Sequence, residues 1–376
     1  MTAKITFLPL DNADTSLIQL ADKRIVLLDY ADRRDPNNQY DARCDLAEEL
    51  RKEMDDADQS DFSVVCFTHL DDDHICGAGE FFWLEHAAKY QEEGRPKINE
   101  LWVPAAAITE TGVEDSAWAI RQEARHRLRK GDGIKVFSRP AALEFFLNAN
   151  GLTNESRAHC IVDAGEIIPG YSLDGPEQAE FFVHCPFAWR SDERNLEDRN
   201  QDAVVLQATF QEAGVETYAL LGSDVDCDTI GEIVTTSRRH NNEGKLVWDI
   251  LHLFHHCSYK SVGPERGVDE TEPTEEVAWL IEEQSRDGAV IISPSKPIPF
   301  KGSQEDEYKQ PPHRQAANYY RDVMEKKDGE FKVTMETPTK NTPKPFHAEI
   351  TKAGVRIALA VLTPVSAVTS KPARAG

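Results

Sequence analysis

This sequence lacks the features of a membrane or secreted protein. No apolar run approaches the roughly 20 residues that a membrane-spanning helix requires, so we expect no membrane span. The first residues, MTAKITFLPLDNAD, lack the basic and long apolar regions of a signal peptide. The seven cysteines are odd in number and widely spaced, and they include no C-x-x-C pair. This pattern excludes a zinc ribbon and disfavours a disulfide scaffold, which predicts a reduced, cytoplasmic protein.

Positive charge is also scarce. Lys and Arg number 42 against 66 Asp and Glu, which gives a net charge of -24 over 376 residues. Such a chain repels polyanions at long range, which argues against a broad basic groove for nucleic acid. A phosphate-containing substrate must then be held locally, by metal ions and a few cationic side chains. An acidic surface of this kind can also dock a basic protein partner.

Helix and strand patterns alternate along the chain, which predicts an α/β protein. In segment 43–57, Leu46, Leu50 and Met54 recur every four residues, the spacing of one helix face. The apolar run DFSVVCFTH that follows predicts a buried strand. The segments ITFLPL and KRIVLLDY predict two opening strands, separated by turn-forming residues.

Further segments complete the predicted organisation. We predict helices over 77–93 and 113–130, and an exposed loop rich in Pro and Lys over 294–313. We expect one domain over 1–362 with insertions, since mixed α/β layers can accommodate this size. The remaining 363–376 are expected to form a flexible tail.

The densest group of metal-binding side chains follows the predicted strand VVCFT. The hexapeptide HLDDDH at 69–74 places three carboxylates between two imidazoles. Without a cation these carboxylates repel one another, whereas a divalent ion reverses the sign of the interaction and orders the loop. The alternative is a solvated acidic turn with two incidental histidines.

Three later predicted strands also end in residues that can bind metal. They are His184 in FFVHCP, Asp224 in ALLGSD, and the pair His255-His256 in LHLFHHCSYKS. Each alone has an ordinary alternative, because a strand-end His is often only hydrogen-bonded and an Asp after Gly-Ser often caps a helix. Together they fit one mixed His and carboxylate site, which suits Zn²⁺ or Mn²⁺.

The order of these motifs resembles the metallo-β-lactamase fold, and is most similar to the branch that includes the nuclease-like domain of the DNA-uptake protein ComEC. Asp71 stands where most of the superfamily has His and this branch has Asp. LLGSD resembles its L-L-T-G-D, HHCSYKS its H-H-G-S-x-x-S, and NQDAVVL its N-x-x-S-V-V-L. NADTSLIQL and KRIVLLDYAD resemble its G-D-S-x-L-I and I-L-I-D-x-G. The resemblance covers about 5–262 and implies an αββα sandwich of two mixed sheets.

The resemblance also implies a ligand set for two divalent metal ions. His69 and Asp71, with His184 as a third partner, would hold one ion; Asp73 and His74 would hold the second, and Asp224 would bridge. Either His255 or His256 would complete the second site, and the sequence leaves this choice open. Asp29 would occupy the buried acidic position behind the metals. Three departures bear on substrate rather than on fold: Cys257 in place of Gly, the inserted Ser223, and the lack of a Gly before Asp14-Thr15.

The implied activity is that of a metal-dependent hydrolase, a phosphodiesterase or nuclease acting on a nucleic acid or nucleotide. Asp73, His74 and Lys260 would be catalytic, and Ser258, Lys260 and Ser261 would bind substrate. A solvent-facing Lys260 is the alternative, and His313 and Arg314 are further candidates from the late loop. Two other functions stay open: hydrolysis of a small ester, lactone or thioester, and a regulatory module that acts through a partner.

Overall fold

The computed structural model describes residues 2–188 and 199–359. The strands of this part of the chain are β1 Lys4–Phe7, β2 Ser16–Gln19, β3 Ile25–Leu28, β4 Phe62–Cys66, β5 Ile98–Pro104, β6 Ile134–Phe137, β7 Ile161–Val162, β8 Ala179–Cys185, β9 Val205–Glu212, β10 Val215–Leu221, β11 Trp248–His252, β12 Ser285–Ser293, β13 Glu330–Val333, β14 Phe346–Thr351 and β15 Gly354–Leu359. Its α-helices are α1 Leu46–Asp56, α2 Asp72–Ile75, α3 Ala78–Phe81, α4 Ala105–Thr109, α5 Asp115–Lys130, α6 Ala141–Ala149, α7 Cys227–Arg239, α8 Glu275–Ala278 and α9 Arg314–Lys326.

The strands form two mixed sheets. The larger sheet has the order β15-β14-β1-β2-β3-β4-β5-β6-β7, antiparallel as far as β3 and parallel from β3 onward. The smaller sheet has the order β13-β12-β11-β10-β9-β8, parallel from β13 to β10 and antiparallel from β10 to β8. In each sheet, parallel neighbours end at the same edge, so that β3 ends beside β4 and β10 ends beside β11.

Three apolar cores define the layers. The central core joins residues of both sheets, among them Ile5, Val64 and Ile250, so the sheets pack face to face. A second core packs α1 and α5 against the outer face of the larger sheet, and a third packs α7 and α9 against the smaller sheet. The architecture is an αββα sandwich of two mixed sheets, which confirms the predicted fold class.

Local sequence explains the elements that lead to the site. In α1, Leu46, Leu50 and Met54 are buried on one face, and Asp45 caps the helix by accepting the Glu48 N–H. The next strand, β4, is buried over most of its length, as its β-branched residues predict. The chain therefore arrives at the edge of the larger sheet on a fixed, buried strand.

The prediction of one helix over 77–93 is wrong. Helix α3 ends at Phe81, and a separate 3₁₀ turn covers Ala88–Tyr90. Between them, the Trp83 N–H donates to the Pro96 carbonyl (2.9 Å), so pairing with a distant segment replaces the helical hydrogen bonds. Strand β2 also lies within the segment that was expected only to separate two strands. The tail expected at 363–376 lies outside the described residues.

Within the described residues, no helix combines the length and apolarity needed to cross a bilayer. The segment over 294–313 is a loop with one short 3₁₀ turn, and it leads into α9. It is only partly exposed, since Ser295, Ile298 and His313 are buried.

Candidate metal centre

A buried carboxylate organises the loop that follows β4. Asp29, at the end of β3, has φ of +56° and accepts two hydrogen bonds of 2.7 Å from Thr68, one from its N–H and one from its hydroxyl. The same carboxylate lies 2.7 Å from His74 Nδ1. These contacts fix the orientation of the His74 ring and direct its Nε2 atom away from Asp29.

The Nε2 atom of His74 faces Asp224, which lies three residues beyond the end of β10. It lies 3.3 Å from Asp224 Oδ1, yet the two atoms are not aligned for a hydrogen bond. Burial would lower the pKa of His74, but the negative charges of Asp224 and Asp29 outweigh burial and hold that pKa well above its usual range. Burial would likewise raise the pKa of Asp224, but His256 and His74 hold it well below its usual range.

A tight turn after β11 brings His256 close to Asp224. His255, His256 and Cys257 have φ of +45°, +51° and +65°, a left-handed conformation that glycine adopts most readily. Cys257 therefore lies where the backbone is strained for a residue that has a side chain. The ring of His256 is fixed by its Nδ1 atom, 2.8 Å from the Pro294 carbonyl oxygen, and its Nε2 lies 3.5 Å from Asp224 Oδ2.

His256 and Asp73 form a second contact in the group. The His256 Nε2 atom lies 3.6 Å from Asp73 Oδ2. Against the effect of burial, the Asp224 carboxylate and the Asp73 contact raise the pKa of His256 to about 9. His255 is more exposed, and its Nε2 lies 3.8 Å from Asp224 Oδ2. The geometry thus favours His256 over His255 in the choice that the sequence left open.

Asp14, which the sequence patterns did not single out as a ligand, also lies in this group. It precedes β2 and is held by its own N–H, which donates to the Asp73 carbonyl (2.8 Å). Its Oδ1 atom lies 3.0 Å from His252 Nε2. The one available signal was the likeness of the segment NADTSLIQL to a family motif that contains Asp.

His69 lies beside His74, and Asp71 contacts both His69 and Arg199. The rings of His69 and His74 have centroids 4.0 Å apart, and His69 Nε2 lies 3.8 Å from Asp71 Oδ2. The other oxygen, Asp71 Oδ1, accepts a hydrogen bond of 2.7 Å from Arg199, which also binds Glu110. Asp71 is therefore in place, but one of its oxygens is engaged by a guanidinium.

The residues present fit a divalent metal ion. One ligand atom from each of four buried residues lies within 4.8 Å of every other, and these residues are Asp14, His74, Asp224 and His256. The Nε2 atoms of His69, His74 and His256 are buried without a hydrogen-bond partner in the described part of the chain. Buried polar atoms without partners are costly, and a cation bound among these atoms removes that cost.

The structure does not bring His184 into the group. Its Nε2 lies 3.0 Å from the Lys245 carbonyl oxygen, and its ring lines a separate cavity with Ser138 and Asn242. Burial lowers the pKa of His184 to about 4. The expectation that it completes the first metal site is therefore corrected: β8 carries this strand-end His to hydrogen-bonding backbone instead.

The serines of HHCSYKS support the loop rather than face a ligand. Ser261 is fully buried and donates to the Val225 carbonyl (2.8 Å), and the buried Ser258 hydroxyl accepts the Lys260 N–H (3.3 Å). Their expected role in substrate binding is not supported by this placement. Lys260 itself is exposed.

The two remaining candidates, His313 and Arg314, have different surroundings. His313 is buried beside this turn, where its Nδ1 accepts the Tyr259 N–H (3.3 Å), and burial together with Arg266 lowers its pKa to about 4. Arg314 instead pairs with Asp306 (3.2 Å) and donates to the Val268 carbonyl. Arg314 is therefore excluded from the group by its own partners.

No model of a known protein family and no curated protein matches this chain. Solved structures similar to it include a diphosphatase from the PhnP family, with 12% identity, 84% of this chain and 96% of that chain covered, and a TM-score of 0.30. They also include unliganded yeast PDE1, with 12% identity, 88% and 96% covered, and a TM-score of 0.42. A third is BJP-1, a subclass B3 metallo-β-lactamase of Bradyrhizobium japonicum, with 11% identity, 86% and 92% covered, and a TM-score of 0.28. Similarity at this level does not assign the chain to a family or an activity.

Proposed function

We propose that this protein is a metal-dependent hydrolase of phosphodiester bonds. The observation that carries the proposal is the convergence of His74, Asp224 and His256, three buried residues from the segments that follow β4, β10 and β11, with ligand atoms that lack other partners. A structural role alone does not account for such a group, because unpartnered buried polar atoms destabilise a fold.

The residues divide into two sets that would hold two divalent ions, Zn²⁺ or Mn²⁺. His69 and Asp71 would bind the first, Asp224 would bridge, and the second would be bound by Asp14, Asp73, His74 and His256. When bound, such ions lower the pKa of a water molecule and neutralise charge on a phosphoryl oxygen. The chain's own contribution is orientation, since Asp29 and the Pro294 carbonyl fix the two rings that face Asp224.

The phosphodiester preference rests on local positive charge in a chain of net charge -24. The exposed Lys260 lies four residues beyond His256, and its charge contributes to lowering the pKa of the adjacent His313. We assign to Lys260 the binding of a non-bridging phosphate oxygen as a point charge. A short single strand or a nucleotide suits this arrangement better than a long duplex, which the acidic surface repels.

The proposal also includes the family branch, the domain organisation and the cellular location. The ComEC-like branch is supported by the motifs HLDDDH, LLGSD and HHCSYKS, and by Asp71 in place of His. A single domain over 1–362 is supported by the central core that both sheets share. A cytoplasmic location is supported by the odd number and wide spacing of the seven cysteines, which disfavour a disulfide scaffold. Docking of a basic partner on the acidic surface remains a separate proposal, based on charge alone.

Metal analysis and substrate assays test the proposal. We expect purified protein to retain Zn or Mn and, with either ion, to hydrolyse bis-p-nitrophenyl phosphate and a short single-stranded oligonucleotide. Activity confined to a lactone would overturn the phosphodiester assignment and favour the small-ester alternative. Absence of metal after purification and reconstitution, with the fold intact by circular dichroism, would overturn the metal centre itself.

A further inference from the structure

A cavity of about 560 Å³ lies against the loop over 294–313. One wall is the segment before β2, which is tied to that loop by two hydrogen bonds. The Asn12 side chain donates to the Pro311 carbonyl (2.5 Å), and its oxygen accepts the Lys296 N–H (3.0 Å). The cavity is therefore bounded by segments that hold each other in place.

The same two segments lead directly into the candidate metal centre. Asn12 lies two residues before Asp14, whose carboxylate belongs to that centre. Lys296 lies two residues after Pro294, whose carbonyl fixes the His256 ring. A ligand that spans the two places would thus have one end at the metal ligands and the other in the cavity.

The cavity wall exposes two aromatic rings. Phe300 is 73% exposed and Tyr308 is 49% exposed, and both line the cavity. The Lys340 ammonium lies 4.6 Å from the centroid of the Phe300 ring and also pairs with Glu336 (3.0 Å). Exposed rings beside a cavity present flat apolar surface on which another planar ring can stack.

Charged groups line the cavity as well. Lys296 is exposed and forms no ion pair with any described residue, and it lies two residues after Pro294, whose carbonyl contacts the His256 ring. Asp11 and Glu305 add carboxylate oxygens to the wall. The wall therefore combines stacking surface, hydrogen-bond acceptors and the positive charge of Lys296.

We propose that this cavity binds the base of a nucleotide substrate, with Phe300 and Tyr308 as the stacking residues and Lys296 beside the phosphate. The proposal rests on the proposed phosphodiester activity and names its substrate class. Aromatic side chains stack on any nucleobase, and the carboxylates can accept hydrogen bonds from the amino groups of a base edge. A neutral aliphatic ester would make no use of these groups.

Two substrates with one leaving group test the proposal. Thymidine 5′-(p-nitrophenyl phosphate) carries a base, whereas methyl p-nitrophenyl phosphate does not, and both release p-nitrophenolate. We expect Phe300→Ala and Tyr308→Ala to raise KM for the thymidine ester by about tenfold and to leave the methyl ester unchanged. Phe145→Ala is the matched control, because Phe145 is an equally exposed ring (78%) on α6. Equal effects on both esters, or none on either, would overturn the proposal.

A binding measurement separates this proposal from the proposed function. Stacking quenches the fluorescence of 2-aminopurine riboside 5′-monophosphate, so titration with protein reports occupancy of the cavity without turnover. If neither ester is hydrolysed, the phosphodiester activity is wrong, but quenching by wild type and its loss in Phe300→Ala would still support a base-binding cavity. Absence of quenching by the wild-type protein would overturn it.

Discussion

Two buried histidines, His74 in the short helix α2 after β4 and His184 near the end of β8, have opposite environments. His74 has a carboxylate on each side: Asp29 holds its Nδ1 atom at 2.7 Å, and Asp224 lies 3.3 Å from its Nε2 atom. His184 has a backbone carbonyl at 3.0 Å. Accordingly the pKa of His74 lies well above its usual range, whereas burial lowers that of His184 to about 4.

The difference shows what makes a buried histidine fit to bind a metal. Burial is common to both, so it does not distinguish them. A carboxylate behind the ring fixes which nitrogen faces inward and strengthens that nitrogen as a ligand, and a second carboxylate in front supplies negative charge for the cation. His74 has both, and His184 has neither.

Substitution of each histidine tests the comparison most directly. We expect His74→Ala, and likewise Asp73→Ala, to lower kcat by at least about 1,000-fold and to reduce bound metal, because each removes a proposed ligand. We expect His184→Ala to leave kcat and metal content unchanged and to lower the free energy of unfolding by about 1–3 kcal/mol. Phosphodiesterase assays, elemental analysis and urea unfolding measure the three quantities. Full turnover by a folded His74→Ala variant would refute the contrast.

The carboxylate behind His74 can be tested alone. Asp29→Asn keeps the shape of the side chain but removes the negative charge that orients and polarises the ring. We expect metal affinity to fall by about 10–100-fold while the protein stays folded, as for other carboxylates behind a histidine ligand. Competition with a fluorescent chelator measures the affinity. An unchanged affinity would show that the negative charge of Asp29 behind the ring does not make His74 a stronger ligand.

Lys260, which follows the His255-His256 pair, provides a test of the substrate class. Lys260 is exposed near His256, so its removal should leave metal content intact. We expect Lys260→Ala to lower turnover of a phosphodiester by about 10–100-fold, or about 1.4–2.8 kcal/mol of transition-state stabilisation, and to leave a lactone unaffected. Assays of both substrates with both proteins decide the point. Equal losses on the two substrates would assign Lys260 a structural role.

Sequence alone predicted which segments reach the site better than it predicted which side chains contribute to it. The hexapeptide at 69–74, Asp224 and the His255-His256 pair could be assigned because each follows a strong strand pattern, and parallel neighbours end at one edge. His184 follows an equally strong pattern but lies elsewhere, because the pattern fixes the strand and not the partners of its last side chain.

Other parts of the site depend on contacts that no local pattern encodes. The place of Asp14 is set by its hydrogen bond to Asp73, and that of Arg199 by Asp71 and Glu110. Ser258 and Ser261 were candidate substrate ligands because they follow the histidine pair in HHCSYKS, yet their hydroxyls bond to the backbone. A local pattern predicts the strand or turn that carries a side chain. Long-range contacts then determine whether that side chain can bind a ligand or is engaged by the backbone.

The contrast between the two histidines also predicts a pH dependence of stability. Burial lowers the pKa of His184 to about 4, below its ordinary value of 6.5. Between these values the unfolded chain binds a proton at this position and the folded chain does not, so stability falls as pH falls. One proton corresponds to a slope of about 1.4 kcal/mol per pH unit, and the contribution vanishes above the unfolded pKa. We expect His184→Gln to remove that slope between pH 4.5 and 6.5 in urea unfolding with chelator present. Both proteins then lack metal, so the other histidines contribute equally to the pH dependence of the free energy of unfolding in each. Their contributions cancel when the two curves are subtracted. Parallel curves for the two proteins would mean that His184 is protonated in the folded state, and the contrast with His74 would fail.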